Sequence, residues 1–167
     1  IPVSLISKAN LIADQNFIMP GEVLLLPAQI KTKLYFIKFT SKDVFLIPEK
    51  RNIIIGKNVY SNTIRELIKG PIDKTAFMPI PKDTKVIGVQ IKNKTAYINF
   101  GQKILRSNVG AASEFFLLAA IANTLTEFDK IEQVQILVEG NLIDTIGGHI
   151  VLDKPLKRSM NVVKRDY

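Results

Sequence analysis

One stretch limits the fold more than any other: "AASEFFLLAAIANTLTEF", residues 111–128. Phe115, Leu118, Ala119, Ala122 and Leu125 recur at steps of three and four, so they share one face of a helix. Phe116 and Ala120 widen that stripe, so the helix must be largely buried. On either side lie strand patterns. In "KVIGVQIKNKTAYINF", Ile87, Val89 and Ile91 alternate with polar residues and glycine, Asn93-Lys94 supplies the turn, and Ala96, Ile98 and Phe100 share a face. In "EQVQILVEG", Val134, Ile136 and Val138 alternate. The Gly140-Asn141 turn then leads to an expected strand over Leu142–Ile146.

Upstream, strand-like runs at Leu34–Phe39 and Val44–Ile47 flank the turn Ser41-Lys42-Asp43. A helix follows. Thr63 and Glu66 have capping-box spacing, Ile64, Leu67 and Ile68 form its apolar face, and Gly70-Pro71 stops it. The loop 72–84, with Pro79 and Pro81, is expected to be irregular. The element order predicts an α+β domain with helices packed on one face of a mixed or antiparallel sheet. The N-terminal 27 residues read differently: a weak one-sided helix from Val3 to Leu11 closed by Asn10, a Pro20-Gly21 turn, and a short strand Val23–Leu26 ended by Pro27. Alone, they are too few to bury a core.

Composition narrows the chemistry. There is no cysteine, which excludes disulfides, thiolate catalysis and cysteine-type zinc sites. No apolar run approaches the roughly 20 residues of a membrane span. The chain opens Ile1-Pro2 without Met, so an upstream part is expected, with room there for a signal peptide or lipid anchor. The net charge is +8 and the pI about 9.7, a balance suited to nucleic acid, anionic lipid or the acidic polymers of a bacterial wall. The charge is spread out, apart from a basic tail where Lys157, Arg158, Lys164 and Arg165 face Asp166 alone. The interleaved "KTKLYFIKF" could mimic a base-stacking strand, but Tyr35, Phe36, Ile37 and Phe39 fit one buried strand better, and nucleic acid is not the expected partner.

No catalytic constellation is expected. His149 is the only histidine. Asp144 and Asp153 are near it in sequence, and Ser107, Ser113 and Ser159 exist, yet there is no Gly-x-Ser-x-Gly elbow. The reading for "TIGGHIVLDKPLKR" (145–158) is structural: Gly147-Gly148 bends the chain after the last hairpin, and His149 hydrogen-bonds a loop carbonyl or carboxylate. On that reading, His149→Ala destabilises modestly. A metal site and a phosphate cradle lack their motifs, and no cofactor is expected.

Four stretches carry a resemblance in order and at suitable spacing: "IRELIKGP" (64–71), "IPKDTKVIGVQIKNKTAYINF" (80–100), "ANTLTEFDKIEQVQILVEG" (122–140) and "TIGGHIVLDKPLKR". Residues 31–160 resemble the GerMN domain family of sporulation and spore-germination proteins. The family-motif positions are Gly70, Pro71, Gly147, Gly148, His149, Pro155, Leu156 and Arg158. The sequence departs at Val151, where the family tends to have an acidic residue. Residues 1–28 resemble the second half of a LysM domain, through the helix and Asn10-Leu11 step, the loop, Pro20-Gly21 and the strand ending at Pro27. Residues 161–167 form the tail.

These resemblances imply a compact α+β fold similar to ring-building modules of envelope assemblies, and no catalysis. They imply a place outside the cytoplasmic membrane, in an exported or lipid-anchored protein. Envelope proteins are the implied partners. Apart from the resemblance, a small α+β sheet can pair through its open edges with a neighbour, so self-association is also expected, with the hairpins around Asn93 and Asn141 and the basic tail as candidate contact surfaces. The LysM resemblance implies peptidoglycan binding, with Asn10, Leu11 and Ile12 as glycan-binding candidates.

Overall fold

The protein is represented by a computed structural model that describes residues 3–10, 12–14, 16, 18–55, 58–107 and 110–164. Strands β1 (Gln29–Phe39) and β2 (Val44–Ile54) pair antiparallel along their whole length, from Gln29 against Ile54 to Phe39 against Val44. Both run past the apolar stretches that mark them in the sequence. Their outer halves carry exposed Lys31, Lys33 and Lys50, so no apolar alternation announces them. Pro48 sits inside β2 opposite Tyr35. It is tolerated because the Tyr35 N–H points away from β2, to the Thr124 hydroxyl at 3.1 Å, so no cross-strand bond is missing there. On the other side of β1, the short β3 (Ala76–Phe77) pairs with Ile37 and Lys38, inside a loop expected to be irregular.

The second sheet holds β4 (Val86–Lys92), β5 (Thr95–Phe100), β6 (Gln133–Val138), β7 (Asn141–Leu142) and β8 (Leu156–Lys157). The β4–β5 turn falls at Asn93-Lys94, both with positive φ (48° and 59°), the conformation a two-residue hairpin needs. Helix α3 (Ala111–Leu125) carries the chain over to β6, which lies parallel to β5. β7 and β8 both pair antiparallel with the far side of β6, at opposite ends.

The α+β class therefore stands, but the single sheet expected from the element order is two sheets. Helix α2 (Val59–Lys69) packs on β1, β2, β4 and α3, while α3 reaches β1, β6 and β8. One apolar core joins them, with Leu34, Phe36, Phe100, Leu117 and Ile121 fully buried. The separation has a local cause: α3 occupies the edge of β1 where another strand would pair, and Thr124 takes its donor.

Several boundaries differ from the sequence reading. α2 begins at Val59, four residues before Thr63, whose hydroxyl donates to the Val59 carbonyl instead of capping. Asn58 is the N-cap residue, and its side-chain oxygen accepts the Ser61 hydroxyl. The strand expected over Leu142–Ile146 stops at Leu142. Residues 22–28 form no strand, and Val23, Leu25 and Leu26 are exposed. Helix α1 (Val3–Ala9) is closed by Asn10, as expected: its N–H and its side-chain amide both donate to the Ile6 carbonyl. Phe115 is the exception on the α3 stripe, exposed where the periodicity places it inside.

Candidate functional site

The fingerprint "TIGGHIVLDKPLKR" folds around one carboxylate. Glu114, in the first turn of α3, is fully buried. Its Oε1 accepts the Ile146 N–H at 3.1 Å and the Gly147 N–H at 2.8 Å, and its Oε2 accepts the His149 N–H at 2.9 Å. A buried carboxylate needs such donors to offset lost hydration. Gly148, at φ 88°, makes the turn that aims these amides inward, and its N–H donates to the Thr145 hydroxyl. His149 therefore contributes its main chain. Its imidazole is exposed and makes no hydrogen bond among the described residues, which corrects the expected side-chain bond. The Ser159 hydroxyl donates to Asn161, so it is not paired with His149.

The other half of the fingerprint closes the far end of α3. Pro155 leads into β8, where Leu156 pairs with Val134 and packs half-buried on the core. Arg158 reaches the last turn of α3. Its guanidinium donates to the Asn123 carbonyl at 3.1 Å, to the Thr126 hydroxyl at 3.2 Å, to the Tyr35 hydroxyl at 2.7 Å, and to Glu127. It also stacks over the Tyr35 ring, 5.4 Å from its centroid. The Tyr35 hydroxyl donates to Glu127 Oε1 at 2.8 Å. Burial and the bond to Glu127 push the Tyr35 phenol up to about 12. Partial burial works to raise Glu127, but the bonds from Arg158 and Tyr35 prevail and hold it below its ordinary value. Beside them, the fully buried Asn123 amide exchanges two hydrogen bonds of 2.8 Å with the Ser159 main chain.

The motif residues after α2 serve a similar end. Gly70, at φ 92°, ends the helix, and its carbonyl accepts Arg51 at 3.0 Å. Beyond Pro71, the N–H groups of Ile72 and Asp73 donate to Glu49, which also pairs with Arg51 at 2.7 Å. Partial burial opposes ionisation of Glu49, yet these donors keep its pKa low. Asp73 is held well below the carboxylate range by bonds from Thr75 and Lys38.

Of the glycan-binding candidates, Asn10 joins α1 to the segment after the turn: its side chain donates to the Leu25 carbonyl at 2.9 Å and accepts the Leu25 N–H at 2.7 Å. The Ile12 N–H donates to the Ser7 carbonyl. Leu11 lies outside the described residues, as do Arg165 and Asp166 of the tail.

The residues that sequence reasoning missed are Glu114, Asn123, Thr126, Glu127 and Tyr35. A signal was present for two of them. Glu114 and Asn123 are polar side chains inside a helix otherwise too apolar for the surface. Among the described residues, no group of acidic and histidine side chains is placed to hold a metal, and no helix is long and apolar enough to cross a membrane.

A family model described as "Germane: Sporulation and spore germination" matches residues 33–144. Among solved structures, the chain is similar to the tandem GerMN domains of the sporulation protein GerM from Bacillus subtilis, with a TM-score of 0.67 and 23% identity over 86% of this chain and 51% of that one. The chain thus spans about half the length of that structure. The first GerMN domain of the same protein gives a TM-score of 0.64 at 20% identity, over 77% of this chain and 98% of that one. A protein of Clostridium perfringens described as a lipoprotein gives a TM-score of 0.55 at 27% identity, over 81% of this chain and 93% of that one. Among curated protein sequences none matches.

Proposed function

The chain belongs to the Germane family of sporulation and spore germination proteins, and from that premise we propose that it is a non-catalytic interaction and assembly module of the cell envelope. The reading takes residues 31–160 as its GerMN unit. The observation that carries it is the internal use of the motif residues: Gly147, His149 and Arg158 direct their donors at α3, and Gly70 takes Arg51. The fingerprint builds the scaffold and leaves surfaces for contact. A position outside the cytoplasmic membrane, as an exported or lipid-anchored protein, is supported by the similarity to the Clostridium perfringens lipoprotein.

The contact surface proposed is the outer edge of β4, where partner strands of envelope proteins or a second copy would add. In the β4–β5 hairpin the pairs Lys92/Thr95, Gln90/Tyr97 and Gly88/Asn99 bond to each other, so the alternate residues Val89 and Ile91 send their N–H and C=O outward. Such an edge pairs readily with another strand. Placing Gly88→Lys and Gln90→Lys on it should abolish association, measured by sedimentation velocity of the chain alone and with envelope extract. Association unchanged by the double substitution would rule out this edge.

A second reading, peptidoglycan binding through residues 1–28 as part of a LysM domain, is favoured by the paired bonds of Asn10 with Leu25, which hold helix and extended segment together as one unit. Sedimentation with purified sacculi tests it: removing residues 3–27 should abolish binding, and equal binding without them excludes this reading.

A further inference from the structure

Strands β1 and β2 carry a charge arrangement that folding does not account for. Lys33 stands directly opposite Lys50. At the pair two positions along, Tyr35 and Pro48, no cross-strand N–H bond forms, because Pro48 has no donor and the Tyr35 N–H goes to Thr124. Bonded and open pairs alternate along an antiparallel ladder, so Lys33 and Lys50 are an open pair as well. Open pairs bring side chains closest, with Cβ atoms about 4.5–5.5 Å apart, and like charges there repel. Lys31 lies two residues before Lys33 on the same face, opposite Asn52. All three lysines are exposed. They rim a depression of about 230 Å³ walled by Ile30, Thr32 and Phe128.

Among the described residues, a single carboxylate faces them. Glu127 Oε2 is 4.0 Å from the Lys33 ammonium, but Glu127 Oε1 already accepts from Arg158 and the Tyr35 hydroxyl. Among the described residues, Lys31 and Lys50 have no carboxylate within ion-pair distance. The depression thus sets three ammoniums against one acid that a guanidinium already matches.

We infer that this depression binds a phosphate group. One carboxylate ligand would leave two of the three cations unmatched. A phosphate monoester carries about −1.5 to −2 at neutral pH, and several acceptor oxygens can reach ammoniums on both strands at once. Phe128, held edge-on against Tyr60 with centroids 5.0 Å apart, offers a fixed apolar wall to the organic part of the ester. The phosphate can come from a soluble ester or polyphosphate, or from a lipid headgroup.

Two probes separate these sources: tripolyphosphate, followed by calorimetry on the full chain, and phosphatidylglycerol vesicles, followed by sedimentation. Binding to either supports the site and identifies the source. The double substitution Lys33→Gln/Lys50→Gln should weaken it at least tenfold. Lys85→Gln/Lys92→Gln, which removes the same charge from exposed lysines elsewhere, should weaken it less than threefold. Failure of both probes to bind, or equal losses in the two double variants, overturns the proposal. Thermal melting checks the fold independently. Lys33→Gln/Lys50→Gln should melt at or above the unsubstituted chain because a repulsion is gone, and a clearly lower melt contradicts the inferred strain.

Discussion

Arg158 donates a 2.7 Å hydrogen bond to the hydroxyl of Tyr35, 123 residues earlier in the chain. This contact draws together the first long strand, the end of the buried helix and the segment after β8.

Arg158→Ala should destabilise the domain. Bonds to Asn123, Thr126, Tyr35 and Glu127 disappear together, and among the described residues Glu127 keeps a half-buried charge with the Tyr35 hydroxyl and Lys33 as its remaining partners. Hydrogen bonds to charged groups are worth about 1.5–3 kcal/mol each in favourable settings, and partial exposure reduces this, so a loss of about 2 kcal/mol is expected. Differential scanning calorimetry should register a fall of roughly 4–8 °C. Arg158→Lys should recover little, since one ammonium cannot span four acceptors.

The same network sets the pH limits. Tyr35 ionises later in the fold than when unfolded, so its contribution is complete below pH about 10 and disappears as pH rises toward 12. Glu127 has the opposite sign. Its folded pKa is depressed, so its contribution is present above the usual glutamate range and is lost as pH falls through the lowered value. Phenolate absorbance should show one of the four tyrosines titrating near 12. Tyr35→Phe should remove that step and flatten the alkaline limb of a stability profile.

Glu114 and His149 make a contrasting pair. Glu114→Ala leaves the Ile146, Gly147 and His149 N–H groups without their acceptor, at a cost of about 3 kcal/mol, while Glu114→Gln retains an acceptor and costs less. Hydrogen exchange at those three amides should accelerate in Glu114→Ala. His149→Ala should leave the melting temperature within about 1 °C, because the exposed ring is all it removes.

The β4–β5 turn offers a gain. Lys94 is held at φ 59°, where a non-glycine side chain costs roughly 1 kcal/mol. Lys94→Gly should raise stability by about 0.5–1 kcal/mol in urea titration, with little offset from its exposed pair with Glu132.

The sequence made the hairpin 86–100, the buried helix and β6 legible, because each repeats at its own period over enough residues to stand out. β8 and β3 have two residues each, too short for any period to appear. The start of α2 misled because Thr63 and Glu66 imitate a cap, whereas the helix begins where Asn58 turns the chain. Phe115 continues the stripe of α3, but α3 is covered most heavily where Leu117 and Ile121 face the sheets, and Phe115 falls at the rim. The Glu114 and Arg158 networks stayed hidden for another reason. Their partners lie 31 to 123 residues away, and nothing local in either strand or helix announces such a distance.

The segment after β8 also lies along β2, with a parallel bridge between Leu46 and Val163 and main-chain bonds from Leu46 to Val162 and from Lys164 to Leu46. During synthesis, β1, β2 and α3 leave the ribosome well before the residues that cover and clasp them. Long-range closure of this kind slows folding and leaves strand edges open in the meantime. The native state is therefore completed only after residue 164 is free, and a nascent chain halted short of β8 should remain protease-sensitive in its N-terminal strands.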